Sequence, residues 1–513
     1  MSDQGSATAS APVEETPQPL AVVDLGSNSF QLMVASVSHG QLMVIDRLRE
    51  MVRLAAGLTP EKNLDEASQQ RALECLARFG ERLRDVPADR LRVVGTNTLR
   101  KAKDPREFLG KAQELLGHEI DIISGIEEAR LIYLGVSRTL PVVDGHQMVV
   151  DIGGGSTEIA LGLAYSPKQL ESLYIGCVGL SRKFFPDGKI TRERFDQART
   201  AVQLELRPVV ENFRRTGWQR VAGASGTIRT AGLVLRELGM TQDDVTLTGL
   251  EALIDRMIDQ GSVENLDLPG LTEERAPVFP GGIAILAEFM RVLQITNLVV
   301  TDGALREGVL YDLLGRLGDE DSRIRTVRAL SRRYHVDMDQ ADRVELTALA
   351  LFDQVAEQWD LTRPIFRQAL GWAARLHEIG LDISHSQYHR HSAYLLQNAD
   401  MPGFNRNEQQ LLACLAGAHR RKFNPGAIKS NAPAGMEKRA ARLAILLRLA
   451  VLFNRSRSYE FPDALKISAH GKEVTLSLTD TWLSKNPLTL ADLEREQTYL
   501  SAAEYSLELN IAD

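Results

Sequence analysis

The chain is 513 residues long, 44% hydrophobic and 25% charged, with a formal net charge of −8. That length exceeds what one hydrophobic core holds and points to three or four domains at roughly 100–200 residues each, while the composition excludes a fibrous or wholly disordered chain. The acidic balance excludes a protein that coats nucleic acid, but a local basic groove on an acidic surface can still take a polyanion.

Residues 1–19 are rich in Ser, Ala, Pro and Glu and read as a disordered tail; they lack the basic segment and apolar core of a signal peptide. Strands are expected at Leu20–Asp24, Gln31–Val37 and Gln41–Arg47, with the polar turn Gly26-Ser27-Asn28-Ser29 between the first two. A helix over Asp65–Arg84 and a strand at Leu91–Val94 follow, and the strand ends in the turn Gly95-Thr96-Asn97-Thr98. The same syntax then returns. Val22-Val23-Asp24-Leu25-Gly26 is echoed by Val149-Val150-Asp151-Ile152-Gly153, and the Val93–Arg100 segment by Val221–Arg229. Counting along the chain, Asp24 to Gly95 is 71 residues (95 − 24) and Asp151 to Gly223 is 72 (223 − 151). Matched signals at matched spacing indicate two duplicated α/β halves facing each other across a cleft. From about Asp319 helical periodicity dominates; Asn424–Gly435 reads as a loop, Glu437–Phe453 as a long helix, Ala464–Ser477 as a strand pair, and the remainder as a polar end. No apolar run is expected to span a membrane, which needs roughly 18–20 residues, because the most apolar helix, near Leu443–Phe453, is broken by Arg448. The three cysteines, Cys75, Cys177 and Cys414, are scattered and odd in number, as expected in a reducing compartment.

The chemistry gathers at the turns. Gly153-Gly154-Gly155-Ser156-Thr157 follows a buried strand, and three glycines let backbone N–H groups approach an anion while the two hydroxyls add donors. Asp24, Ser27, Asn28 and Ser29 offer a similar set from the first half, and Ser225-Gly226-Thr227 makes a third small polar turn. Two opposed loops of this kind would grip consecutive phosphates. Asp151 and Glu158 flank the second loop; carboxylates beside phosphates call for a divalent cation, and Mg²⁺ suits oxygen ligands. In Ser124-Gly125-Ile126-Glu127-Glu128, Ser124 fits a helix cap with Glu127 in the capping-box position, which leaves Glu128 as the candidate general base. Arg100 and Arg306 are candidate phosphate clamps.

These motifs, VVDLGSNSFQL, VVGTNTLR, ISGIEEARLIYLGV, VVDIGGGSTEI, GASGTIR and TDGALREGVLYDLL, run in order from Val22 to Leu314. The chain resembles the exopolyphosphatase / guanosine pentaphosphate phosphohydrolase family of the sugar kinase–actin–Hsp70 superfamily. The segment RLHEIGLDISHSQYHRHSAYLLQNADMPGFN is similar to the long exopolyphosphatase form. The resemblance implies two ribonuclease H-like (actin-like ATPase) halves at 20–137 and 138–317, an all-α HD-like domain at 318–433 and a small C-terminal α/β domain at 434–513. It implies Glu128 as the base that activates water, Asp151 and Glu158 as organisers of Mg²⁺, and the three turns as phosphate holders. K⁺ is carried as a candidate activator. The expected activity is processive release of the terminal phosphate of inorganic polyphosphate. Hydrolysis of guanosine pentaphosphate, tied to the stringent response, is the alternative, and a polyphosphate sensor the non-enzymatic one. A homodimer, a cytoplasmic location, at most a peripheral contact with the inner membrane face, and no nucleic-acid partner complete the expectation. His377-Glu378, with His385, His389, His391 and His419, resembles an HD metal site in which Glu replaces the Asp, so this domain is expected to have lost its metal and to serve dimerisation or chain binding. Arg420-Arg421-Lys422, Lys429, Lys438-Arg439, Arg442, Arg448, Arg455 and Arg457 are expected to form a basic face that retains the chain.

Overall fold

A computed structural model describes residues 19–38, 41–242, 244–317, 321–457 and 465–512; the expected tail lies outside the described residues, except for its last position. The chain divides into two compact units. One holds residues up to Asp121 together with Glu128–Leu317, the other Ile122–Glu127 together with Gly318–Asp513.

The first unit contains two sheets built to one plan. In the first half, β1 (Leu20–Leu25), β2 (Phe30–Ser38), β3 (Gln41–Glu50), β4 (Leu91–Gly95) and β5 (Ile120–Ile122) take the order β3-β2-β1-β4-β5. In the second half, β6 (His146–Ile152), β7 (Thr157–Leu163), β8 (Ser166–Leu173), β9 (Arg220–Ala224), β10 (Val245–Thr246) and β11 (Asn297–Val300) take the order β10-β11-β9-β6-β7-β8. Each half starts with an antiparallel meander and then adds a parallel strand beside its first strand: β1 pairs antiparallel with β2 and parallel with β4, as β6 does with β7 and β9. The registers differ by two residues: Gly95 stands opposite Leu25, one position after Asp24, whereas Gly223 stands opposite Val150, one position before Asp151. The duplication read from spacing is therefore a duplication of topology. β1 is buried along its whole length, as a continuous apolar run in a central strand must be. The helix Glu66–Leu83 is capped by Asp65, whose carboxylate accepts from the Ser68 N–H at 2.7 Å, and it buries Ala72, Cys75, Leu76, Phe79 and Leu83 at helical spacing.

Two helices decide how the first unit closes. Gly125–Thr139 carries Glu128, and Leu305–Leu317, which packs on β1 and β4, carries Arg306. They cross backbone to backbone: a Cβ at Gly135 would collide with the Ala304 carbonyl, and one at Gly308 with the Leu131 carbonyl. Beside the crossing, Asp312 accepts from Arg130 Nη2 at 2.6 Å, Arg92 Nη1 at 3.0 Å and Arg316 Nε at 3.0 Å. Asp312, Arg92 and Arg130 are buried. Burial works against the Asp312 carboxylate, yet the guanidiniums of Arg130, Arg316 and Arg92 outweigh it and hold the group far below the usual range.

In the second unit, helices between Ser322 and Phe453 surround Glu437–Phe453, whose inner residues are buried almost all round. β12 (Lys466–His470), β13 (Glu473–Thr479) and β14 (Ser506–Ala512) form a sheet in which Ile467, Val474, Leu476 and Leu507 join the same core as Val344, Leu370 and Trp359. Residues 318–433 and 434–513 thus share one core. β14, expected as part of a polar end, pairs parallel with β13 through the alternating Leu507, Leu509 and Ile511. The segment read as a loop at Asn424–Gly435 contains the short helix Pro425–Asn431, capped by Asn424. One window, Ala276–Leu293, is long and apolar enough to cross a membrane by length and composition, contrary to the sequence expectation, and 72% of it is buried inside the fold. Its opening Phe279-Pro280-Gly281-Gly282 obscures it as a helix in sequence, and its Glu288 is held by Arg199 at 3.1 Å.

Replacing Asp312 by Ala leaves three guanidiniums without their shared counter-charge. Urea unfolding is expected to show a loss of about 3–5 kcal/mol, the usual cost of stranding buried charge; a loss below about 1 kcal/mol would show that the cluster does not hold the helices.

Candidate functional site

The C-terminal ends of β1 and β6 face one cleft between the halves, where open α/β sheets place their ligands. Its cavity measures about 150 Å³ and is lined by Asp24, Glu128, Asp151 and Glu158, with further residues of three turns. The first turn joins β1 to β2 and supplies Gly26, Ser27, Asn28 and Ser29; the second joins β6 to β7 and supplies Gly153, Gly154, Gly155 and Ser156. Both are hairpin turns and both border the cavity. They lie against each other and their neighbours so closely that a Cβ at Gly155 would strike Asn97, and one at Gly154 would lie 3.3 Å from Ser27. The third turn follows β9 and opens the helix Ser225–Glu237. Ser225 adopts φ +86, a left-handed conformation that a non-glycine residue holds only under constraint. Its hydroxyl accepts from the Ile228 N–H at 3.3 Å, and Arg275 lies against Gly226 where any side chain would collide with it.

Glu127 and Glu128 separate as adjacent helical residues must. The Glu127 N–H donates to Ser124 Oγ at 3.1 Å, the expected cap, whereas Glu128 lines the cleft. Arg100 Nη1 donates to Glu128 Oε2 at 2.7 Å. Burial raises the Glu128 pKa and Arg100 pulls it back. Asp24 is pushed up to about 7 by burial, against the attraction of Arg306 at 3.9 Å. Asp151 is also pushed up to about 7, by its enclosure and then by the charges of Glu128 and Asp24. Glu158, which accepts from Ser172 Oγ at 2.9 Å, is raised well above the ordinary range by burial and then by Glu128 and Asp151. Glu128 thus raises the other three carboxyls across one enclosed space, and Asp24 Oδ1 is buried without a hydrogen-bond partner among the described residues.

This donor set fits a hard divalent cation. Among the described residues no group of three or more His, Cys, Asp or Glu side chains forms a metal cage. Mg²⁺ does not require one, since it uses one or two carboxylates and completes its octahedron with phosphate oxygens and water.

Two residues singled out in the sequence stand elsewhere. The Thr157 hydroxyl donates to the Ile175 carbonyl at 2.7 Å and does not border the cavity, and Arg100 acts on it through Glu128. Ser156, Thr227 and Arg306 border it as expected. Three lining guanidiniums were not foreseen: Arg49, Arg229 and Arg275. Arg49 ends the alternating Arg47–Arg49 face of β3, a legible signal; Arg275 comes from a loop with none. In the second unit much of the expected basic face is already committed. Arg442 is buried and donates to the Trp359 carbonyl at 2.7 Å; Arg448 is buried against Glu496; Arg439 and Arg455 pair with Asp360 and Asp492. Glu378, at the HD-like position, is held by Arg457 Nη2 at 2.8 and 3.0 Å.

The Ppx/GppA phosphatase family model matches residues 33–317, and the model for domain III of the same phosphatases matches 322–497. This chain belongs to the Ppx/GppA phosphatase family. A relative from Aeromonas hydrophila, named guanosine-5′-triphosphate,3′-diphosphate pyrophosphatase, is 40% identical over 477 residues, which are 93% of this chain and 95% of the relative. The crystal structure of the Aquifex aeolicus Ppx/GppA member superposes with a TM-score of 0.51 at 25% identity, covering 59% of this chain and 99% of that one. An exopolyphosphatase from Cytophaga hutchinsonii shares the fold, with a TM-score of 0.54 at 22% identity over 58% of this chain and 98% of that one.

The raised carboxyls give this site a pH signature. Asp24 and Asp151, pushed up to about 7, keep their protons in the folded chain well above the ordinary Asp value of 3.8. Between about pH 4 and 7 the unfolded chain therefore holds fewer protons on them, stability falls as pH rises through that window, and the cost is complete above pH 7. In the presence of a chelator, Asp151→Asn is expected to unfold at higher urea than the parent at pH 8, with the difference closing towards pH 4. Equal midpoints at pH 8 would contradict the crowding of charge.

Proposed function

We propose that the cleft hydrolyses the terminal phosphoanhydride bond of a chain of phosphates, and that inorganic polyphosphate is the substrate it fits best. One observation carries this reading. Three turns rich in backbone N–H groups, four guanidiniums and the carboxylate of Glu128 converge on one cavity, and no aromatic side chain is among its described lining residues. Every recognition element there suits phosphate and none suits a base. The relative from Aeromonas hydrophila supports a second reading, guanosine 5′-triphosphate,3′-diphosphate, with its 5′-terminal phosphate in the same place and the nucleoside beyond this lining.

In this reading water attacks the terminal phosphorus in line with the bridging oxygen, which leaves on the shortened chain. Glu128 accepts the proton from the water. Its raised basicity suits that role near neutral pH, and the hydrogen bond from Arg100 fixes the orientation of its carboxylate. Backbone N–H groups of the Gly153–Ser156 and Ser225–Thr227 turns, with Arg229, Arg275 and Arg306, face the charge that spreads over the equatorial oxygens. Mg²⁺ would be held by Asp151 with Asp24 or Glu158 and supplies charge neutralisation when bound.

Phosphate release from long-chain polyphosphate and from guanosine 5′-triphosphate,3′-diphosphate, compared by kcat/KM under one set of conditions, tests the substrate. The larger value is expected for polyphosphate; a tenfold preference for the nucleotide would establish the second reading instead. Glu128→Ala is expected to lower kcat by at least about 10² while leaving substrate binding in place, as loss of a general base should. Unchanged turnover would remove Glu128 from the mechanism.

A further inference from the structure

We propose that the second unit carries its own binding site for a nucleoside polyphosphate, in a cavity walled by Arg420, Arg421, Arg455, Tyr388 and Tyr499. This cavity measures about 430 Å³, a volume typical of small-molecule sites, and all its lining residues belong to the second unit.

The charge balance of its wall points to an anion. Six arginines line it against three carboxylates, those of Glu378, Asp492 and Glu496. Each carboxylate is already engaged. Glu496 accepts from Arg448 at 2.5 and 2.7 Å, Glu378 accepts from Arg457, and Asp492 pairs with Arg455 at 2.5 Å and faces Arg495 at 4.0 Å. Arg420 and Arg421 have no carboxylate partner among the described residues. Arg420 is nevertheless held in place, its guanidinium 4.4 Å from the centre of the Tyr388 ring. Arg421 holds a left-handed backbone, φ +66, at the turn where the helix Arg406–Ala418 has ended. On the other side of these two arginines a second cavity of about 640 Å³ gains Arg390 and Lys422 and has no carboxylate among its described lining residues. The excess of guanidinium therefore extends through both cavities, and guanidinium forks match phosphate oxygens in pairs.

The neighbouring imidazoles do not turn this into a cation site. His377 and His419 each donate Nδ1–H to a backbone carbonyl at 2.6 Å, and burial holds both, with His389, below the ordinary imidazole range. They are neutral and add no charge. The carboxylate that would help hold a metal, Glu378, is neutralised by Arg457 instead. The rest of the wall is mixed: Leu381, Val451 and Leu452 lie beside Tyr388 and Tyr499, and Gln340, His385 and His419 complete it. A bare phosphate chain has no use for such surface, whereas a nucleoside has a flat apolar ring to place there. Phosphates against Arg420, Arg421 and Arg455, with the ring towards the tyrosines, satisfy both halves of the wall.

Calorimetric titration of GTP into the full chain carrying Glu128→Ala, which blocks turnover in the cleft, tests this assignment. A binding event is expected that Arg420→Ala/Arg421→Ala weakens at least about tenfold, that is 1.4 kcal/mol or more, and that Arg420→Lys/Arg421→Lys, which keeps the charge but not the fork, weakens less. Tyr499→Ala is expected to weaken GTP at that site but not inorganic tripolyphosphate. GTP binding indifferent to both arginine pairs in chains of unchanged melting temperature would overturn the site. Tripolyphosphate binding there as tightly as GTP, with Tyr499→Ala affecting neither, would overturn the nucleoside.

Discussion

The first unit depends on one buried carboxylate. Asp312 lies on the helix Leu305–Leu317 and holds Arg130, Arg92 and Arg316 at 2.6–3.0 Å. Arg130 is two residues from Glu128 on the helix Gly125–Thr139, and Arg306 is six residues from Asp312 on its partner. The same contact therefore sets the rotation and height of both functional side chains. Gly135 and Gly308 make it geometrically available, because the two backbones touch where either would otherwise carry a side chain. A buried ion pair contributes little net stability compared with apolar packing, but breaking one is costly. Its effect here is to fix a position: a helix sliding by one turn would carry Asp312 away from Arg130 and Arg92.

The cleft works in the opposite sense. Its Glu128 disfavours ionisation of the other three acids, and Asp24 Oδ1 has no hydrogen-bond partner among the described residues. This is the arrangement expected where charge must be balanced by something that arrives, a polyanion with its cation, rather than by the protein. Glu128 differs from the other three because Arg100 donates to it directly, so it keeps one orientation while its basicity remains raised. The strained Ser225 and the glycines that admit Asn97 and Arg275 place donors where ordinary turns would place side chains.

The second unit shows how poorly a count of basic residues predicts a basic surface. Arg442 and Arg448 are core residues that satisfy backbone carbonyls and a buried glutamate, and Arg439, Arg455 and Arg457 are paired. Arg420 and Arg421, which have no carboxylate partner among the described residues, line two cavities. The Glu378–Arg457 pair also gives the physical consequence of Glu in place of Asp at the HD-like position, since a guanidinium of this chain occupies the counter-charge that a metal would supply.

The sequence by itself determined the duplicated halves, the two hairpin turns and the acids at the ends of their central strands. Each of these is local: a buried strand, a glycine-rich turn and a repeat spacing are written in consecutive residues. It also separated Glu128 from Glu127, because a helix cap is a three-residue pattern. Only the tertiary structure decided which donors border the cavity. Thr157 turns to a carbonyl on a neighbouring segment, Arg100 reaches the cleft through Glu128, and Arg275 enters from a loop with no pattern of its own. It alone decided that the apolar window Ala276–Leu293 is a core helix and that residues 318–433 and 434–513 share a core. The reason is common to these cases. Periodicity reports which face of an element is apolar, but a partner's identity depends on residues tens to hundreds of positions away, as Asp312 and Arg92 are.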